Sequence, residues 1–220
     1  MSILFPSLSL DNVQLMYNYV MDLKTKNTPK RIKKKDLILE SAISIFSQYG
    51  YHNTKLEQIT KSLDLTDKSI YYYFSSKGDL FIEVILSIQT KLDKLIESIN
   101  KIDDTHLMKI KTYTNKAMTI NGLTLLMSLP KSLSEFAKYD VIKANEANQY
   151  KMWTNWFKKG QADGSMIHGN PEEYRNFLFG SLFYLHQWYA IKDNESYAHI
   201  QPFIEKMIDR MYSTQLQRLQ

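Results

Sequence analysis

No cysteine occurs among the 220 residues, which removes disulfides, thiolate metal sites and cysteine nucleophiles together and suits a reducing compartment. Glycine (7) and proline (5) are scarce, too few for the many turns of an all-β sandwich or barrel. No apolar run approaches the ~20 residues of a membrane span, and the opening MSILFPSLSLDNVQ lacks the basic n-region of a secretory signal. A cytoplasmic protein without a membrane partner is therefore expected. Catalytic signatures are missing too. His52, His106, His168, His186 and His199 are scattered, none forms a His-x-x-x-His pair, and there is neither a GxSxG turn nor a phosphate-cradling glycine loop. The residues point to no enzyme, no metal and no cofactor.

What is present suffices for a large hydrophobic core: 44% of residues are hydrophobic and 23% charged, as in ordinary globular proteins. Few, long helices are favoured. The net charge of +5 is local, because KRIKKK at residues 30–35 carries five positive charges and the rest of the chain sums to zero.

Local chemistry divides the chain into residues 1–28, 29–80 and 81–220. The first zone has an apolar leader with Pro6 and then Val13, Met16, Val20 and Leu23 at helical spacing, which predicts one short helix. The second begins at Thr28-Pro29, a cap followed by proline at the first helical position. Leu37, Ile38, Ala42, Ile45, Phe46 and Tyr49 recur at helical spacing up to Gly50, a natural stop. Thr54 is expected to cap a short helix to about Ser62, Thr66 another from Asp67 to about Phe74, and Ser75 or Ser76 the helix that starts with Lys77. Short helices joined by a turn of about four residues make a helix-turn-helix.

Such a motif lays its second helix in the major groove, while nearby lysines, tyrosines, threonines and helix starts hold phosphates. Lys68 and Ser69 stand in the first turn of that helix, where base edges are reached. Asp67 could accept only from cytosine, or simply caps. Tyr71, Tyr72 and Tyr73 cannot all face the core, because successive helical residues point about 100° apart, so at least one phenol is expected at the surface beside phosphate. Lys77 and the free amides at its helix start are expected to converge on one anion. Thr54, Lys55 and Thr66 at the helix starts complete the expected DNA-facing set. The basic run adds Lys30, Arg31, Lys33 and Lys34. At a helix N-terminus these cations oppose the macrodipole, so contact with DNA backbone or minor groove explains them better than a structural role.

The stretch from Asp36 to Leu80 resembles the DNA-binding domain of the TetR/AcrR family of bacterial transcriptional regulators. The resemblance is carried by Ile38-Leu39, Phe46, Gly50-Tyr51, Thr54, Ile59-Thr60, Leu65-Thr66 and the block Ser69-Ile70-Tyr71-Tyr72-Tyr73-Phe74-Ser75-Ser76-Lys77. Two departures stand out: Thr60 and Leu63 replace the usual small alanines, and Asp64 replaces the turn glycine, where a positive φ is needed and Asp is tolerated at a cost of about 1 kcal/mol.

The resemblance implies an all-α fold: an N-terminal three-helix helix-turn-helix domain joined by a long helix to a C-terminal helical domain for ligand binding and dimerisation. Helices are expected near 104–117, 121–137 with a bend at Pro130, 140–160, 171–191 and 196–217. The last two are unusually apolar, which suits burial at a two-fold homodimer interface and hence a palindromic double-stranded DNA operator. Met108, Met118, Met127, Trp153, Trp156, Phe157 and Phe183 could line an apolar pocket for an unknown small-molecule effector, with His186 and Gln187 as polar anchors; ordinary core packing is the other reading of each. The function so implied is a ligand-responsive regulator of repressor type. The alternative is a helical regulator controlled by a protein partner.

Overall fold

A computed structural model describes residues 29–189 and 194–214; the expected leader helix lies outside them. Among the described residues there are nine α-helices and no strand: α1 Pro29–Asn53, α2 Leu56–Ser62, α3 Asp67–Tyr71, α4 Lys77–Asn100, α5 His106–Ala117, α6 Ala137–Ala162, α7 Pro171–Trp188, α8 Asn194–Ala198 and α9 Gln201–Tyr212. The all-α expectation holds. The chain divides into two compact units, residues 1–38 and 39–220. The described part of the first is the opening of α1, on which Lys33 is exposed and Lys34 half-buried.

In the second unit, local signals set the helix ends. At Gly50 the φ of 73° and ψ of 167° break α1, a conformation that glycine adopts without steric cost. Asp64 holds a φ of 53° in the turn after α2, as its place in the motif requires. Ser76 caps α4 by accepting from the Asp79 amide, while the Asp79 carboxylate accepts from the Ser75 amide at 2.9 Å, so two orphan amides are satisfied reciprocally. Asn170 and Pro171 open α7 in the expected manner, the Asn170 side chain accepting from the Glu172 amide.

Helix α4 is the spine of this unit. Leu80, Phe81, Ile82, Val84, Ile85 and Ile88 are all fully buried, and α4 packs on α5 and α6. Phe46 of α1 meets Phe81 edge-on at 4.9 Å. A second cluster holds Leu92, Tyr113, Trp153, Trp156, Phe157 and Tyr212, with the ring of Tyr113 edge-on to Trp153 at 4.8 Å. Polar crosslinks stitch the same helices: Trp156 Nε1 donates to Asn100, Gln89 to the Ile142 carbonyl, and Lys111 to Asp209.

Two expected helices are corrected. Residues 121–137 form two short 3₁₀ turns, Leu123–Met127 and Lys131–Leu133, because Gly122 takes a φ of 82° and Pro130 offers no N–H to continue a helix. The expected 196–217 helix is broken into α8 and α9 just before Pro202 for the same reason.

The turn after α6 is tied to the start of α5. Burial pushes the Asp163 carboxyl up, but hydrogen bonds from Ser165 and His106 outweigh it and hold it at about 2; the carboxylate lies 2.6 Å from His106 Nδ1. A carboxyl depressed in the fold stabilises above its usual range and loses that contribution as pH falls through the folded value. Stability should therefore drop between about pH 4 and pH 2 more steeply in the parent protein than in Asp163→Asn, as read by urea unfolding at stepped pH. Equal slopes would discard this linkage.

Candidate nucleic-acid interface

Helix α3 is pinned from below and open above. Ile70 is fully buried and Phe74 nearly so, whereas Tyr71 and Tyr72 are 57% and 64% exposed, which meets the expectation that the three tyrosines cannot all be core. Lys68 and Thr66 are exposed, and Ser69 is half-buried with its Oγ 3.2 Å from Thr66 Oγ1. The outward surface of α3 thus carries Lys68, Ser69, Tyr71 and Tyr72 together. Lys55 is exposed at the start of α2, where its amide donates to the Gln58 side chain at 2.7 Å.

Three expected DNA contacts have other work in the structure. Thr54 is buried, and its hydroxyl donates to the Gly50 carbonyl at 2.7 Å; Lys55 takes the cap position instead. Thr54 cannot touch DNA. Asp67 accepts from the Thr60 hydroxyl at 2.9 Å, so it clamps α3 to α2 rather than reading cytosine, and the unusual Thr60 acquires a purpose. Lys77 Nζ donates to the carbonyls of Tyr51, His52 and Thr54 at 2.9, 3.3 and 3.0 Å and lies 4.7 Å from the Tyr51 ring centre. An ammonium has three donors, and all three are engaged at the end of α1; the phosphate role expected of Lys77 is withdrawn. The side chains of Lys30 and Arg31 lie outside the described residues.

The expected effector residues fall into three groups. Trp153, Trp156, Phe157 and Met118 are buried in one apolar cluster, and Phe183 is half-buried. Met108 and Met127 are 41% and 63% exposed and line no interior. Met108 misses the buried stripe of Leu107, Ile110, Tyr113, Thr114 and Ala117, and Met127 ends a 3₁₀ turn. His186 is buried and its Nε2 has no hydrogen-bond partner; the Gln187 side chain lies outside the described residues. Thr114, equally without a partner at Oγ1, was missed by the sequence reading. Its signal was a polar residue on an otherwise apolar helical stripe.

Sequence reading also missed the link between the two parts of this unit. Lys138 of α6 donates to Glu83 at 2.5 Å and lies 3.7 Å from Asp79, both on α4. A Cβ added at Gly78 would stand 2.7 Å from the Phe136 ring, and one at Gly122 2.6 Å from Ile43. The segment between α5 and α6 therefore lies against α1 and against the start of α4 at once.

A small helix-turn-helix carried on a larger helical body defines an all-α protein of the nucleic-acid-binding class. Residues 38–84 match the family described as bacterial regulatory proteins, tetR family. That stretch carries the DNA-binding domain of the family. It is similar to the HTH-type transcriptional regulator RutR of Escherichia coli (strain K12), 42% identical over 67 residues, which are 29% of this chain and 32% of that protein. The chain thus spans about a third of the length of RutR. It is 26% identical over 148 residues to the HTH-type transcriptional repressor KstR2 of Mycolicibacterium smegmatis, covering 63% of this chain and 71% of that one. Among solved structures, the ketosteroid transcriptional regulator KstR2 of Mycobacterium tuberculosis shares the fold with a TM-score of 0.71 at 15% identity, over 82% of this chain and 95% of that one. A TetR-family regulator from Agrobacterium tumefaciens does so with a TM-score of 0.62 at 17% identity, over 82% and 98%.

Proposed function

We propose that the protein is a dimeric transcriptional regulator of repressor type that binds a palindromic operator through residues 29–80 and answers a small apolar or aromatic effector through residues 81–220. The observation that carries this reading is the outward face of α3, where Lys68, Ser69, Tyr71 and Tyr72 stand on a helix anchored by Ile70. Lys68 and Ser69 are assigned to base edges, and Tyr72 and Lys55 to phosphates. The basic run at 30–35 contributes backbone or minor-groove contacts of its own. Dimerisation is supported by Phe177, Tyr184 and Trp188 along α7, Tyr189 just past its end and Phe203 on α9, each more than half exposed in the single chain, since large apolar patches left open on a monomer mark interaction surfaces. The repressor sign is supported by the relatives that carry that name.

The test is to find the DNA that the protein protects, beginning with the intergenic region beside its gene, and to measure affinity by fluorescence anisotropy. Lys68→Ala should cost about 1–2 kcal/mol on the preferred site and less on bulk DNA, whereas Lys55→Ala should weaken all sequences and flatten the salt dependence by about one unit. Binding that ignores both substitutions discards this docking. Sedimentation should show a dimer at micromolar concentration.

A further inference from the structure

Two side-chain atoms stand apart from everything else in the C-terminal helices. Among the described residues, the buried polar atoms without a hydrogen-bond partner are His186 Nε2 and Thr114 Oγ1. Their residues are 7% and 1% exposed. Other polar groups of these helices are satisfied: Gln89 donates to Ile142 and accepts from Asn145, Trp156 donates to Asn100, and Tyr197 donates to Asn115. Native proteins leave such atoms unpaired rarely, and each instance calls for an unseen partner.

The two orphans are neighbours through Met118. The Met118 amide donates to the Thr114 carbonyl in the last turn of α5, and the His186 ring faces the backbone of Met118 and its own backbone. Met118, the helical-φ/ψ cap residue just past α5, stands one turn beyond Thr114 and on the same face. Threonines elsewhere in these helices turn the hydroxyl to the carbonyl four residues back, as Thr90 does to Leu86 and Thr154 to Tyr150. Thr114 does not, and its hydroxyl remains available to a third party.

The chemistry of the missing partner follows from these atoms. Burial pushes the His186 pKa down, so the ring is neutral and has one N–H and one lone pair. The backbone carbonyls claim the N–H, which leaves Nε2 as a bare acceptor. A hydroxyl can both donate and accept. No free buried charge answers an ion: the buried carboxylate among the described residues, Glu83, is bound to Lys138. The same helices supply Tyr113, Trp153, Leu178 and Leu185 to one buried apolar cluster, with Phe179 and Leu182 packed half-buried against it.

We propose that His186 and Thr114, where α7 meets the end of α5, bind an uncharged aromatic or alicyclic small molecule through a hydroxyl or N–H that it donates to His186 Nε2, with Thr114 Oγ1 engaging the same polar group. The proposal rests on the reading that the C-terminal helices sense an effector, and it names the class of that effector. An ion, or a hydrocarbon without a donor, does not meet the site.

The probes are phenol, toluene and benzoate, matched in size and differing in the group offered. Titrated into the full chain without DNA and followed by calorimetry and by the ¹⁵N signal of the His186 ring, phenol should bind at least tenfold more tightly than toluene, and benzoate more weakly than either. Phenol should move the Nε2 resonance in the direction of an accepted hydrogen bond. In His186→Phe the preference for phenol should shrink to within twofold while toluene binding persists. Thr114→Val should weaken phenol severalfold and leave toluene alone. If His186→Phe fails to fold, His186→Gln, which keeps an acceptor, should retain part of the preference, and the parent resonance still reports. Equal affinities for phenol and toluene, an unmoved Nε2 signal, a preference that survives His186→Phe, or no binding at all, as a trapped water on these atoms would give, overturns the proposal. Affinity for duplex DNA at low salt is measured on the same samples. Its loss with phenol binding intact removes the regulator reading and keeps the site; the converse removes the site alone.

Discussion

Replacing Lys77 by methionine should lower the free energy of unfolding by about 2–4 kcal/mol, the range for removing a charged donor and leaving its acceptors unmet. The ammonium gathers three carbonyls at and just past the end of α1, those of Tyr51, His52 and Thr54, and covers the ring of Tyr51. Past Gly50 the chain has left the helix that would have paired these groups, and Lys77 replaces the missing N–H donors from the first turn of α4. Methionine keeps the length and apolar stem of the side chain and removes only the donors, so urea unfolding reads the hydrogen bonds more than the packing. Duplex affinity should fall too, because Lys55, the cap residue of α2, follows directly on Thr54. The salt dependence of binding should keep its slope, since a lysine that neutralises no phosphate releases no counterion. The opposite pattern, unchanged stability with a slope flatter by about one, returns Lys77 to the phosphates.

This substitution also marks where sequence stops being legible. The caps and turns of the helix-turn-helix could be read because their causes are local: Ser76 accepts from the Asp79 amide and the Asp79 carboxylate from the Ser75 amide, all within five residues, and Asp64 and Gly50 adopt the positive φ that their positions demand. Lys77 could not be placed in the same way, because its partners lie 23 to 26 residues back and a lysine at a helix start has an equally good reason to face DNA. Thr54 shows the same ambiguity, as a threonine before a helix reads as a cap until the fold turns its hydroxyl inward to Gly50. In the C-terminal helices, composition offered a supply of aromatic and methionine side chains but not their direction. Trp153 and Phe157 went inside, whereas Met108 and Met127 stayed at the surface, an outcome decided by which helices pack together. The orphaned atoms of Thr114 and His186 were half legible, since His186 stood out as a polar residue in an apolar run and Thr114 was lost among ordinary threonines.

Gly122→Ala is expected to cost about 2–4 kcal/mol, well beyond the ~1 kcal/mol of placing an L-residue at positive φ. Two costs coincide there. The residue holds a φ of 82°, and its new Cβ would stand 2.6 Å from Ile43 and 3.0 Å from Ile88, fully buried side chains of α1 and α4 that have little room to retreat. Gly50→Ala supplies the control, because Gly50 has a φ of 73° but nothing within 4 Å of the added carbon, so it bears the backbone cost alone. The difference between the two variants in urea unfolding measures how tightly the segment between α5 and α6 is seated on the helices that carry the reading head. That seating matters for the proposed response to an effector. The segment starts at Met118, whose backbone the His186 ring faces, runs over Ile43 and Ile88 at Gly122, and ends at Phe136 against Gly78, two residues before Lys138 of α6 meets Glu83. A ligand that moved His186 would push on this track, and an effector can shift the DNA-binding equilibrium only by its difference in affinity for the two positions of the track. A tight seat makes those positions discrete. If Gly122→Ala costs no more than Gly50→Ala, the segment yields freely where it meets Ile43, and α4 alone is left to carry the signal.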